Sequence, residues 1–297
     1  MVQRPSTYTM FDPDSAIAFR TYTNYVHAWK VHTTTVRPDH HSLQTLQAAT
    51  NAGQLSETVR SHLWRGELTL RLMTTPPPAS FSRIAPIAAL WVPVQAYYAV
   101  HGLGSAALLA VGQSLPQNHT AFRKAMAQLI RQFFSPDLAV IFQVQPNAGT
   151  QRSFRHLSLS MDQCRAQSHL ETVTELNCGS IVGKSLLTTY DASIEEKLTE
   201  QRRRLPSGRS RLSPGTRATV ESQAAAVSVI DFLWRMRIRS NYEDPKMFVH
   251  AAWEPESAVS FCKDLTTLTE RVCAELKLIV QRRIGAASLD ALVASVS

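Results

Sequence analysis

Residues 84–112 read IAPIAALWVPVQAYYAVHGLGSAALLAVG and carry no Asp, Glu, Lys or Arg. The flanking charges are Arg83 before the run and Arg123 after it. An uncharged run of this length must be buried, in a bilayer or in a helical core. Length favours a bilayer, since about 20 apolar residues span one. Content favours a core: Pro86 and Pro93 lack backbone donors, Gln95, His101 and Ser105 need polar partners, and Gly102 and Gly104 weaken a lipid-exposed helix. The reading adopted is a central helix from Pro93 onward, with Pro93 in its first turn. Ala96, Ala99, Gly102 and Ala106 recur at spacings of three and four, a small-residue face that admits a close helix neighbour. Val94, Tyr98 and Trp91 put bulk on another side.

Working outward, the chain has 297 residues, 44% hydrophobic and 18% charged, enough for one large or two ordinary domains and too apolar for general disorder. Cys164, Cys178, Cys262 and Cys273 form no Cys-x-x-Cys pair and read as reduced thiols of a cytosolic protein. The start, MVQRPSTYTMFDPD, has no apolar signal core. The net charge is +8, and only 7 of the 31 basic residues are lysine. Arginine suits bidentate phosphate contacts, so a nucleic-acid partner is one reading; compositional bias is the other.

Upstream, residues 15–32 read as a helix with Ala18, Tyr22, Tyr25 and Trp29 on one face, ended by TTTV and Pro38. Asp39-His40-His41 resembles a metal-phosphoesterase triplet but lacks the companion Asp motifs, so Asp39 and Ser42 read as a helix start. His27, His32, His40 and His41 are the one histidine cluster. Leu43, Leu46 and Ala49, then Leu55, Val59 and Leu63, follow helical spacing across a break at Asn51–Gly53. The segment 67–73 alternates and reads as a short strand or a helix end. TTPPP at 74–78 is the strongest breaker and the boundary chosen between regions.

Downstream, Asn118 caps an amphipathic helix with Phe122, Met126, Leu129, Ile130 and Phe133 inside. Ser135-Pro136-Asp137 precedes a short helix or a buried strand, LAVIFQV, and 146–150 is a loop. Residues 151–200 read as helical. Within them NCGSIVGKS (177–185) nearly spells a phosphate loop, but the glycine falls at 179 rather than 178. The spacing therefore reads as a helix through Lys184, Leu187 and Tyr190. Arg202, Arg203, Arg204, Arg209, Arg211 and Arg217 meet no acid between Glu200 and Glu221, which suits either phosphate binding or a solvated linker. Val229, Ile230, Leu233 and Met236 then line a buried face, with Ala226 before it. That helix ends in Arg235-Met-Arg-Ile-Arg-Ser-Asn-Tyr-Glu-Asp-Pro245. Residues 256–283 form a last strong amphipathic helix, and the tail after it is apolar enough to dock on a partner.

Two of these pieces resemble the HEPN superfamily of prokaryotic helical-bundle proteins. The run 96–109 is similar to an early core helix of that family and is followed by Pro116-Gln-Asn-His119. The run 235–245 is similar to the signature closing a later core helix. The resemblance covers about a third of the chain. It implies an all-α fold with a HEPN-like four-helix bundle core and additional helices. On that basis residues 1–78 form an N-terminal helical region and 79–297 a HEPN-like domain with an insertion at about 135–220. It also implies dimerisation, RNA cleavage without metal, and work in toxin–antitoxin or antiphage systems.

Active members pair an arginine with a histidine four to six residues later. Here that gap after Arg239 falls on Asp244, Pro245 and Lys246. Arg20 and His27 have the spacing, but not at the family's helix end. The implied site is therefore atypical: Arg239, Asn241, Tyr242 and Asp244 catalytic, with Arg202, Arg203, Arg204, Arg209, Arg211 and Arg237 steering RNA. Neither a cofactor nor a metal is implied. The expected partners are RNA and a protein of the same system, in a homodimer or hetero-complex in the cytoplasm and not at a membrane. The competing reading is a non-catalytic assembly module in which the same Arg–Asp–Tyr set locks the helix end; an integral membrane protein is the third.

Overall fold

The computed structural model describes residues 13–35, 41–75, 81–145, 151–205, 212–249 and 254–294. It is mainly α-helical, with one two-stranded antiparallel sheet. The uncharged run lies in helix α4, Phe81–Ala110, following α1 (Pro13–Thr35), the single turn α2 (His41–Gln44) and α3 (Ala52–Thr74). No helix among the described residues is long and apolar enough to cross a membrane.

Helix α4 begins twelve residues before Pro93, and both Pro86 and Pro93 lie inside it. Each interior proline costs roughly 3 kcal/mol of helix stability. Tyr97, Val100, Leu103 and Leu108 are fully buried on the same helix, and each such side chain contributes about 1.5–3 kcal/mol by leaving water. Packing therefore outweighs the prolines. The small-residue face behaves as its spacing predicts: Ala96, Ala99 and Ala106 are fully buried, and Gly102 meets α3.

The flanking helix α11 (Pro255–Ile284) buries Cys262, Leu265, Leu268, Val272, Leu276 and Ile279, so α4 is held between α3 and α11. Gly285 ends α11 at φ 87°, a backbone that favours glycine. The tail, α12 (Ala286–Ala294), folds back on α3 and α11 through Leu289 and Leu292 instead of reaching outward. Helix α1 packs on α11 and on α7 (Cys178–Arg203).

The structure moves some local boundaries and decides between readings left open. Helix α1 continues through Thr33–Thr35, whose hydroxyls bond back to carbonyls three and four residues earlier. Of the two readings of 67–73, the helix end holds: these residues close α3, whose buried Glu67 and Leu70 keep helical spacing. The segment after Leu138 is strand β1 (Ile141–Gln145), pairing with an unforeseen β2 (Gln151–Arg155) and bridging Phe142 to Val227. Residues 151–200 are thus not all helical, although α6 (Met161–Ala166) and α7 follow. Asp39, His40, the prolines at 76–78 and the loop 146–150 lie outside the described residues.

Candidate anion site at the end of helix α9

Helix α9 (Val229–Ile238) starts on a capping box in which Ser228 and Asp231 satisfy each other's backbone amides. It ends because Pro245 cannot continue it and biases Asp244 away from helical geometry. The chain widens into a π-helical turn, Arg239–Glu243, and Asp244 N–H donates to the Arg239 carbonyl at 3.0 Å. Asp244 then caps the short α10 (Pro245–Val249) by accepting from Met247 N–H at 3.2 Å.

The four residues expected to be catalytic divide between two jobs. Arg239 donates to Asp244 Oδ2 at 2.9 Å and to the Tyr22 hydroxyl at 3.4 Å, its guanidinium 5.0 Å from the Tyr22 ring centroid. Arg239 and Asp244 therefore hold the turn and α1 together. Asn241 is half-buried on the turn, and Tyr242 is 68% exposed with its ring 5.9 Å from the Arg237 guanidinium. Arg235 pairs with Glu243.

Arg237 faces the other way, toward α4. It is 7% exposed and boxed by the rings of Trp234 (4.7 Å), Tyr98 (5.0 Å), Tyr97 (5.5 Å) and Tyr242. Its Nη2 donates to Tyr98 Oη at 3.0 Å, and its buried Nε has no hydrogen-bond partner. No carboxylate pairs with it among the described residues, whereas Arg123, Arg235, Arg239 and Arg271 each meet one. Each ring face attracts a guanidinium by about 0.5–2 kcal/mol, so the four rings together offset a desolvation cost of several kcal/mol without neutralising the charge.

Two histidines stand beside it. His101 lies on α4 one turn beyond Tyr97, and His119 opens α5 (His119–Phe133), which Asn118 caps. Their ring centroids are 5.3 Å apart, and His119 lies 4.6 Å from the Trp234 ring that also faces Arg237. The buried Tyr97 hydroxyl meets His119 Nδ1 at 2.8 Å. Burial holds Tyr97 well above the usual phenol range, so this contact is made by a neutral hydroxyl.

Burial first, then His119, His62, Arg65 and Arg237, push His101 down to about 4. Burial, then Arg237 and Arg123, lower His119. Both rings are neutral at pH 7. The acid in contact with this group is Asp231, held by Arg123 at 3.1 Å and by the α9 cap; burial raises its pKa against the pull of Arg123.

Of the arginines expected to steer RNA, Arg237 forms this site, and the other described ones lie elsewhere. Arg204 pairs with Glu200, Arg202 lies 3.8 Å from Glu195, and Arg217 meets Glu195 at 2.9 Å and Glu221 at 3.0 Å. The stretch that lacks acids in sequence acquires them in space from α7 and from α8 (Pro214–Ser222). Arg203 shares a groove with Glu196, Arg235 and Glu243. Arg209 and Arg211 lie outside the described residues.

Other sequence candidates resolve into packing. Lys184 donates to the carbonyls of Arg165 (3.1 Å) and Gln167, and Gly183 packs on Cys164. Arg20 donates to Glu254 at 2.9 Å, while His27 meets Asp264 at 2.6 Å, so these two serve different contacts. No group of His, Cys, Asp or Glu among the described residues is arranged to hold a metal ion. The histidines beside Arg237 were visible only as members of the two α4–α5 motifs; nothing in spacing alone joins them to a residue more than a hundred positions away.

No family model, curated protein or solved structure matches this chain.

Proposed function

We propose that this chain is a HEPN-like, nucleic-acid-associated component of a prokaryotic defence or toxin–antitoxin system, with an atypical ribonuclease site centred on Arg237. The observation that carries the reading is the buried Arg237 guanidinium without a carboxylate, beside two neutral histidines.

RNA phosphodiester cleavage needs little more. A neutral imidazole takes the proton of the ribose 2′-hydroxyl as that oxygen attacks phosphorus. Arg237 stabilises the charge building on the non-bridging oxygens. The bond to the 5′-oxygen breaks, and that oxygen leaves with the proton the imidazole received. The products are a 2′,3′-cyclic phosphate and a 5′-hydroxyl. The test is RNA degradation by purified protein in excess EDTA. Wild type is expected to cut, and Arg237→Gln to lose at least a hundredfold in rate, the scale of one transition-state donor. Undiminished cutting by that variant sinks the site.

One observation favours the second reading, a non-catalytic assembly module: Arg239 bonds both Asp244 and Tyr22, tying the turn to α1. That reading expects intact RNA and a defined protein complex, homomeric or with a partner from the same system, recovered by pull-down from the cytoplasm.

A further inference from the structure

Six groups able to carry positive charge converge on one place from four helices. They are His62 and Arg65 from α3, His101 from α4, His119 and Arg123 from α5, and Arg237 from α9. Tyr97 packs against His101, His119 and Arg237, and Trp234 packs against His119, Arg123 and Arg237, so the two rings tie these groups into one cluster. The acid at its edge, Asp231, is bound to Arg123. Three of the six are fixed cations and three are histidines. His101 and His119 are half-buried.

We infer that His101 and His119 are the proton-binding wall of a phosphoryl-anion site whose fixed charge is Arg237, so that an RNA phosphodiester enters together with a proton. This rests on reading Arg237 as the anion-binding group proposed above. Burial first, and then the surrounding cations, keep both imidazoles neutral. A bound phosphoryl group reverses the sign of that local field and completes the charge of Arg237, and an imidazole beside it then holds a proton. The ligand class follows from the same geometry. The box is cationic and aromatic, which fits the phosphate of a nucleic acid and repels a cationic peptide.

Proton-linked binding has a thermodynamic signature that simple phosphate attraction lacks. If one proton accompanies the anion, affinity rises by up to about tenfold for each pH unit lowered within the titration window. The probe is a 2′-O-methyl oligonucleotide. It lacks the attacking hydroxyl, so binding is read without cleavage, and its phosphodiesters do not titrate near neutrality.

The experiment is isothermal calorimetry of the full chain at pH 6.5 in two buffers of different ionisation enthalpy. Wild type is expected to show a buffer-dependent heat corresponding to uptake of about one proton. The double variant His101→Gln, His119→Gln is expected to bind more weakly and with a buffer-independent heat. If that variant does not fold, the two single variants carry the same comparison, each lowering the uptake. Binding with no buffer dependence in wild type overturns the inference and leaves the nucleic-acid reading standing. Equal proton uptake by the variants overturns the assignment to these residues. Proton-linked binding in a protein that leaves ordinary RNA intact supports the inference and defeats the catalytic reading. Absence of binding defeats both.

Discussion

Gly66 and Gly102 meet backbone to backbone where α3 crosses α4. A Cβ on Gly102 would lie 2.7 Å from the Gly66 Cα and nitrogen, and one on Gly66 would lie 2.7 Å from the Leu103 nitrogen. These neighbours are main chain and cannot rotate away. Alanine gains about 1 kcal/mol of helix propensity over glycine, but overpacking costs about 1–3 kcal/mol or more when backbone must move. Gly66→Ala and Gly102→Ala are therefore expected to lower the melting temperature by several degrees. Gly53 has open space around its Cβ direction, so Gly53→Ala is the control and should hold or raise it. Equal behaviour of all three in thermal denaturation contradicts the close crossing.

That crossing was half legible. The absence of charge from 84 to 112 gave away the buried helix, and Ala96, Ala99 and Gly102 gave away a face for a close neighbour. Nothing in the sequence named Gly66 as that neighbour, because pairing of helices is decided by the whole bundle. Pro93 misled for the same reason: local chemistry places proline at a helix start, whereas packing of Tyr97, Val100 and Leu103 carries the helix past it. Strand β2 has no alternating apolar pattern of its own and exists through pairing with β1. At the site, the helix end RSNYED was readable, but the division of labour between Arg237 and Arg239 was not. It depends on Tyr22, His101 and His119, which three other stretches supply, and on Trp234 in α9 itself.

Arg237 and Arg239 sit two positions apart and should fail in different assays. Arg239→Gln removes a partly buried ion pair and the tie to Tyr22, which is expected to cost about 1–2 kcal/mol of stability. Its nucleic-acid affinity should change little. Arg237→Gln removes a charge that nothing neutralises, so its stability should stay within about 1 kcal/mol of wild type because lost ring contacts and relieved desolvation oppose each other. Its affinity for a 2′-O-methyl oligonucleotide should fall at least tenfold, about 1.4 kcal/mol. Chemical denaturation and fluorescence anisotropy on the two variants make the comparison; the opposite pattern would place the site at Arg239.

Asp231 has three duties: it caps α9, it accepts from Ser228, and it pairs with Arg123. Asp231→Ala leaves Arg123 beside Trp234 without its acid and strips the cap, a combination expected to cost about 2–4 kcal/mol. Asp231→Asn keeps an acceptor for the cap but not the charge, and should lie between. A urea titration that finds both variants equal to wild type would show that the ion pair contributes nothing to the fold.

Acid should loosen the same region before it protonates most carboxylates. His101 sits at about 4 in the folded chain against an ordinary value of 6.5, and burial also lowers His32, His62, His119 and His156. The unfolded chain therefore binds more protons than the folded one between about 4 and 6.5. Stability is fully present above about 6.5 and is lost as pH falls through that window. The raised Asp191 and Asp231 work in the opposite sense, binding protons more readily when folded. The melting temperature is expected to fall between pH 7 and pH 5. The fall should be shallower in His101→Gln, which has no proton to gain. Sulfate should flatten it more in wild type than in Arg237→Gln, because an anion beside Arg237 favours the protonated imidazoles. Equal slopes in wild type and His101→Gln would remove His101 from the account of acid sensitivity and leave the other buried histidines to carry it.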